Sequence, residues 1–359
     1  MMNEIRWRVV VLGALLLSLA LTAACGAGPT PTPPQPTEEP AVDRATPTQE
    51  EAEPEATPES PESDEGLPTL RMALLPVLDV LPFFIAQDNA YFRQEGVIVE
   101  LVPVSSALER EQLLAAGEVD GMLTDVIGPA ITNAAGPSVR IVAVARRAYE
   151  NAPLFRILAA PGSEVESPSD LAGVTIGISE NSVIQYLGDR LLVGAGLSPE
   201  EIVYESVPSI PTRFSLMMEG QLGAAILPDP LAQAAIEAGA IPVLDDASLA
   251  EEQYSQSVLS FSNTALEQKP DAIRAFLRAW FHAVQDLNTD PNRFRALWLE
   301  NTNVPESVQD TYEIPPFPVN EITSETVWQD VVDWLLEREI IDQAPPYETS
   351  VDSSFLPSQ

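Results

Sequence analysis

From Leu70 onward, apolar runs of strand length alternate with stretches whose apolar residues recur at helical spacing, and this alternation predicts parallel sheets flanked by helices. Leu70–Leu75 reads as a buried strand, Pro82–Gln94 as a helix opened by proline and closed at Gly96, and Val97–Val102 as a second strand. A helix over Ala107–Ala116 leads to a strand at Val119–Leu123, a helix at Gly128–Ala135 and a strand at Val139–Ala145. The same order then returns. Strands are predicted at Val174–Ile178, Ile202–Glu205 and Gly223–Leu227, with helices at Ser182–Val193 and Pro211–Met218 between them. Local likeness supports the match: Leu114-Ala115-Ala116-Gly117-Glu118-Val119 faces Met217-Met218-Glu219-Gly220-Gln221-Leu222.

Two extended stretches, Pro153–Ala159 and Ile241–Leu244, read as crossovers, the second followed by the strand-like Val258–Ser262. The second unit is then an insertion within the first. The expected architecture is α/β with two lobes, each a mainly parallel sheet flanked by helices, joined by a two-stranded hinge: 67–155 with 245–359 as lobe 1, and 156–244 as lobe 2. Two rigid bodies on such a hinge close as a clamp. Pro270–Leu287 puts Ile273, Phe276, Leu277, Trp280, Phe281, Val284 and Leu287 on one helical stripe, and Ser324–Glu339 does the same with Trp328, Val331, Val332, Leu335 and Leu336. Both stripes read as core that braces the first lobe.

The N-terminal part carries a different pattern. Arg6 and Arg8 precede an apolar run, Val9–Leu21, too short to span a bilayer; Thr22, Ala23 and Ala24 then lead to Cys25, the only cysteine. This arrangement resembles the bacterial lipobox, which implies a signal peptide over 1–25 and an acyl anchor on Cys25; an ordinary secretory signal with an incidental cysteine is the alternative. Residues 26–66 are rich in proline, threonine and glutamate and almost free of large apolar side chains, so they cannot bury enough surface to offset their ordering entropy. They read as a disordered, self-repelling tether from a cell membrane to an extracytoplasmic body.

One cysteine excludes an intrachain disulfide and a Cys-ligated metal site. The net charge of −36 argues against nucleic acid and anionic lipid surfaces as partners, since both would be repelled. A monomer is expected, and neither a cofactor nor a metal is called for.

In open α/β sheets the ligand crevice lies at the carboxyl ends of the strands, where helix N-termini point their N–H groups. That rule selects Asp79, Thr124, Asp125, Ser179, Asn181, Ser182 and Asp229, with Leu81, Phe83 and Tyr186 as apolar walls. Ser179 and Asn181 also suit a helix N-cap, and the three aspartates suit turns or caps. Arg146 and Arg213 are candidates to assist an anionic group such as a sulfonate, whereas Asp79, Asp125, Glu180 and Asp229 would attract a protonated or hydrogen-bond-donating heterocycle.

Ala86-Gln87-Asp88-Asn89-Ala90-Tyr91-Phe92 with Glu95-Gly96-Val97, then Gly117–Asp120, resembles the first lobe of the nitrate/sulfonate/taurine and thiamine-precursor-binding proteins. Pro168-Ser169-Asp170-Leu171-Ala172-Gly173, Gly220–Pro230 and Lys269-Pro270 are similar to later parts of that family. Gly223 stands where the family usually has aspartate, and Asn181-Ser182 replaces a Gly-Thr style helix opening. The resemblance implies a type II periplasmic binding protein fold that delivers a small organic solute to an ABC permease and ATPase. A ligand-sensing lipoprotein without transport is the alternative.

Enzymatic readings have less to stand on. The only histidine, His282, lies beside Trp280 and Phe281 on a predicted helix, and neither HExxH nor a Walker loop occurs. A secreted hydrolase using paired carboxylates remains open, though no spacing selects a pair.

Overall fold

The computed structural model describes residues 66–358, so the predicted signal, Cys25 and nearly all of the predicted tether lie outside the described residues. Ten strands are present among them: β1 (Thr69–Leu74), β2 (Ile98–Pro103), β3 (Gly121–Asp125), β4 (Val139–Arg147), β5 (Phe155–Ala159), β6 (Thr175–Ile178), β7 (Val203–Ser206), β8 (Ala224–Pro228), β9 (Ile241–Asp245) and β10 (Gln256–Ser262). They form two five-stranded sheets of orders β2-β1-β3-β10-β4 and β7-β6-β8-β5-β9. In the first, β1 runs parallel to β2 and β3, with Leu70 opposite Val99. In the second, β6 runs parallel to β7 and β8, with Ile176 opposite Tyr204. Each sheet holds a single antiparallel strand, β10 in one and β5 in the other.

These two strands are the ones that follow a crossing of the chain from one lobe to the other. Pro153–Ala159 and Ile241–Leu244, read from the sequence as crossovers, are largely β5 and β9 of the second sheet; the linking segments are 148–154 and 246–255. Asp246, fully buried, holds the two links together: its carboxylate oxygens accept the Leu154 N–H (2.9 Å) and the Phe155 N–H (3.1 Å).

The helices are α1 (Leu81–Asp88), α2 (Tyr91–Gln94), α3 (Ala107–Ala115), α4 (Ile127–Ala134), α5 (Val183–Gly194), α6 (Ile210–Met218), α7 (Leu231–Glu237), α8 (Asn263–Gln268), α9 (Pro270–Thr289), α10 (Arg295–Asn301), α11 (Glu325–Glu337) and α12 (Tyr347–Ser350). The single helix predicted over Pro82–Gln94 is divided. Ala90 adopts a left-handed φ of 58°, and the Asn89 side chain donates to the Ile85 carbonyl, which ends α1 and starts α2.

The apolar stripe of α9 packs on the first sheet. Phe83 of α1 meets Trp280 edge-on (ring centroids 4.7 Å apart) and lies 5.6 Å from Phe276, while Phe92 stacks on Phe276. Lys269, at the entry to α9, donates to the Thr69 carbonyl and to the Asp120 carboxylate, which fixes the helix start against β1. His282 is exposed and stacks on Tyr91, away from both sheets' carboxyl ends.

Helix α11 does not brace the first lobe alone, as the sequence suggested. Trp334 packs edge-on against Tyr186 of α5, and its Nε1 donates to Asp189 (2.7 Å). Tyr186 donates to Asp330, which also receives Arg190 Nε, so α11 and α5 are joined by partly buried polar contacts. The same helix touches α4 of the first lobe. Long-range pairing of this kind leaves no periodic signature in the chain.

Gly223 shows why an aspartate is missing there. A Cβ added at this position would lie 2.5 Å from Val174 Cγ1, closer than packed carbon atoms tolerate.

Burial pushes the Asp246 carboxyl up to about 7, against the two N–H bonds that favour its charged form. Its folded-state value is thus above the unfolded one, so its contribution to stability is fully present below about pH 4 and is lost as the pH rises toward 7. Thermal unfolding of the wild type and of Asp246→Asn between pH 4 and 8 should show this as a difference curve: the wild type loses ground to the variant across that interval, then runs parallel to it.

Candidate functional site

The loops after β1, β3, β6 and β8 meet at one cleft between the lobes, as expected for strand carboxyl ends facing each other. The space there is about 840 Å³, part of it open to solvent. It is walled by both sheets, with Asp79, Thr124, Asp125, Gln256 and Ser257 on one side and Ser179, Ser182, Ile184, Pro228 and Asp229 on the other.

Asp79 sits in a short helical turn, Leu78–Val80, that follows β1. Its carboxylate accepts Arg146 Nη1 at 2.6 Å and the Ser257 hydroxyl. Arg146 and Ser257 are neighbours across the β4–β10 register, so a single pair of strand positions supplies both donors. Asp125 closes β3: its Oδ1 accepts the N–H groups of Ile127 (2.9 Å) and Gly128 (3.1 Å) and so caps α4, while Oδ2 lies 3.9 Å from Arg110 Nη2. Arg110 is also held by Glu111, whose Oε1 accepts the Thr124 hydroxyl at 3.1 Å. Burial pushes the Glu111 carboxyl up. Asp229, after β8, takes a two-pronged contact from Arg156 of β5 at 3.0 and 2.7 Å.

Each of the three rim aspartates therefore faces an arginine. In the low-dielectric wall of a cleft, pairing of this kind replaces the water each carboxylate gives up. The rim does not present three free negative charges, and the sequence argument that these aspartates would draw in a cation loses its basis. Arg213, the other suggested anion partner, is fully buried in the second lobe and does not line the cleft. Its Nε and Nη1 donate to the carbonyls of Ile226 and Val207, and burial pulls its guanidinium down to about 10.

Of the other sequence-selected residues, Thr124, Ser179 and Ser182 line the cleft. Ser182 is also the N-cap of α5, accepting the Ile184 N–H at 3.2 Å. Asn181 is exposed with a left-handed φ of 54°, a conformation asparagine tolerates, and it turns the chain into the helix without facing the cleft. The three proposed walls lie elsewhere: Leu81 and Phe83 are in the core beneath the first sheet, and Tyr186 is packed between Trp334 and Tyr254. All of them are fully buried. The apolar walls are instead Leu75, Val77, Leu154, Phe155 and Ile210.

Arg110, Arg156 and Gln256 were missed from the sequence. A lone charge inside the apolar strand segment Phe155–Ala159 was a usable sign for Arg156. Gln256 is almost fully buried at the start of β10; its Oε1 accepts the Thr323 hydroxyl at 2.8 Å, and its Nε2 has no hydrogen-bond partner among the described residues. Among the described residues, no group of His, Cys, Asp or Glu is placed to hold a metal ion.

A family model described as "NMT1/THI5 like" matches residues 78–294, which span both sheets. The chain belongs to this family. Among its relatives, the formylaminopyrimidine-binding protein of Halalkalibacterium halodurans is 23% identical over 315 residues, covering 81% of this chain and 91% of that protein. The 4-amino-5-hydroxymethyl-2-methylpyrimidine phosphate synthase of Schizosaccharomyces pombe is 25% identical over 224 residues, 59% of this chain and 62% of that protein. The fold of this NMT1/THI5-like chain is that of a ligand-binding component of an ABC-type import system from Staphylococcus aureus, with a TM-score of 0.67, 14% identity and coverage of 80% and 97% of the two chains.

Asp125→Ala removes a helix cap and one partner of Arg110 together. It should lower the unfolding free energy by roughly 1–2 kcal/mol in urea titrations, with an unchanged m-value.

Proposed function

We propose that the protein is a membrane-anchored extracytoplasmic solute-binding protein that captures a small organic molecule between its lobes and hands it to an ABC permease and ATPase. The observation that carries this reading is a cleft walled by two sheets on a two-link hinge, lined by paired charges and by a buried donor, Gln256 Nε2, without a partner among the described residues. The synthase named among the relatives supplies the enzymatic alternative. Here the only histidine is stacked on Tyr91, outside the cleft, which leaves that chemistry without a general base of the usual kind.

For the ligand, pairing of the rim aspartates argues against a cation, while Arg146 Nε and Nη2, buried in the lining, lack a partner among the described residues and suit a hydrogen-bond acceptor. Gln256 Nε2 offers a hydrogen bond to an acceptor, and Ser105, Ser106, Ser179 and Ser182 add hydroxyls around the same space. A ring bearing carbonyl or ring-nitrogen acceptors fits this lining, and the relative named for formylaminopyrimidine points to the same class. Phe155 is the aromatic side chain in the lining and supplies one flat apolar surface.

A thermal-shift screen of formylaminopyrimidine, other pyrimidines, sulfonates, nitrate and amines should give stabilisation of several degrees with an acylated aminopyrimidine and none with the anions. Gln256→Leu should weaken that ligand about tenfold by calorimetry while keeping the melting temperature of the free protein within a few degrees. Turnover of any screened compound would replace binding by catalysis as the function.

Anchoring rests on Cys25. In cells, full-length protein should incorporate labelled fatty acid and sediment with membranes, and Cys25→Ser should do neither; membrane attachment of that variant without label would remove the lipid from the proposal.

A further inference from the structure

The cleft does not end at the polar rim. A second concavity, about 1500 Å³ and likewise open in part to solvent, continues from it and shares Leu75, Val77, Ser105, Ile210, Pro228 and Asp229 as walls. Beyond this shared neck the charges end. The first lobe contributes Val104, Trp298, Val304 and Pro305 with Thr302 and Asn303, and the second Phe214 and Leu231 with Ser209 and Ser215; among all the residues that line it, the only charged group is Asp229 at the neck, already paired with Arg156. The two chambers thus form one continuous space with a charged and an uncharged end.

Trp298 is fully buried and stands behind this lining. The short helical turn Glu306–Val308 packs against α7, so the chamber is bounded by contacts between the lobes and belongs to the same clamp as the polar end.

We infer that the solute is a two-part molecule: an acceptor-bearing polar ring held at the aspartate–arginine rim, and an apolar arm of several carbons that passes the Leu75–Ile210–Pro228 neck and lies in the chamber walled by Phe214, Trp298 and Val304. This inference rests on the reading of the cleft as a solute site and narrows its ligand class. Burial of methylene groups in such a chamber is favourable at close to the water-to-hydrocarbon transfer value, so affinity should grow with arm length until the chamber is filled.

The test uses formyl-, butanoyl- and octanoylaminopyrimidine, titrated calorimetrically into the purified protein. The butanoyl compound should bind at least tenfold more tightly than the formyl compound, and the octanoyl compound at least as tightly as the butanoyl. Val304→Trp, which narrows the chamber beyond the neck, should reduce the ratio of octanoyl to formyl affinity to near one or below. Equal or weaker binding of the longer compounds to the wild type would overturn the inference while leaving solute binding intact, and so would an unaltered ratio in the variant. Failure of all three compounds to bind would instead defeat the ring assignment on which the inference rests, and both would fall.

Discussion

A carboxylate withdrawn from water into the wall of a cleft must find a cation or a set of N–H donors, and this requirement organises the protein around its rim. Asp79 reaches Arg146, Asp229 reaches Arg156, and Asp125 divides its oxygens between the start of α4 and Arg110. Each arginine comes from a different element from its aspartate: the end of β4, the start of β5 and the face of α3. The pairs therefore do two things together. They fix the rim loops to the strands behind them, and they leave the cleft close to electrically neutral. Removing one partner would strand the other, so the loops cannot be rearranged singly.

Much of the architecture was legible because it is written in local pattern. Strand and helix positions from Leu70 to Leu227 follow apolar periodicity, and Gly117 and Gly220 adopt the positive φ that ends a helix; Gly194, expected to end α5, lies in its last turn, and the left-handed position falls on Gly196. The crevice followed from one rule about strand ends, which selected Asp79, Thr124, Asp125, Ser179, Ser182 and Asp229, all of which line the cleft. What remained hidden depended on contacts between distant segments. Helix α1 is apolar on nearly every side, so nothing in its sequence says that Phe83 faces Trp280 instead of the cleft. Tyr186 stands one turn into α5, and its hydroxyl is claimed by a helix more than a hundred positions later. The arginines escaped notice for the same reason: their meaning lies in the aspartate opposite.

The absence of charge on the far side of the neck is the counterpart of the rim. Polar pairing at one end and Phe214, Trp298 and Val304 at the other divide the space by chemistry, while both lobes contribute to each part. A small, wholly polar solute would leave the inner chamber wet, and a long apolar one would leave Gln256 unsatisfied. Selectivity in such a site comes from asking two different things of one guest.

The C-terminal segment adds a mechanical restriction. After α11 docks on α5, the chain returns to the first sheet, where Ser350 meets Asn133 and Asp352 meets Arg140. Together with the segments tied by Asp246, the halves are joined along three routes, so any movement of one half against the other must either carry α11 along with α5 or part Trp334 from Asp189.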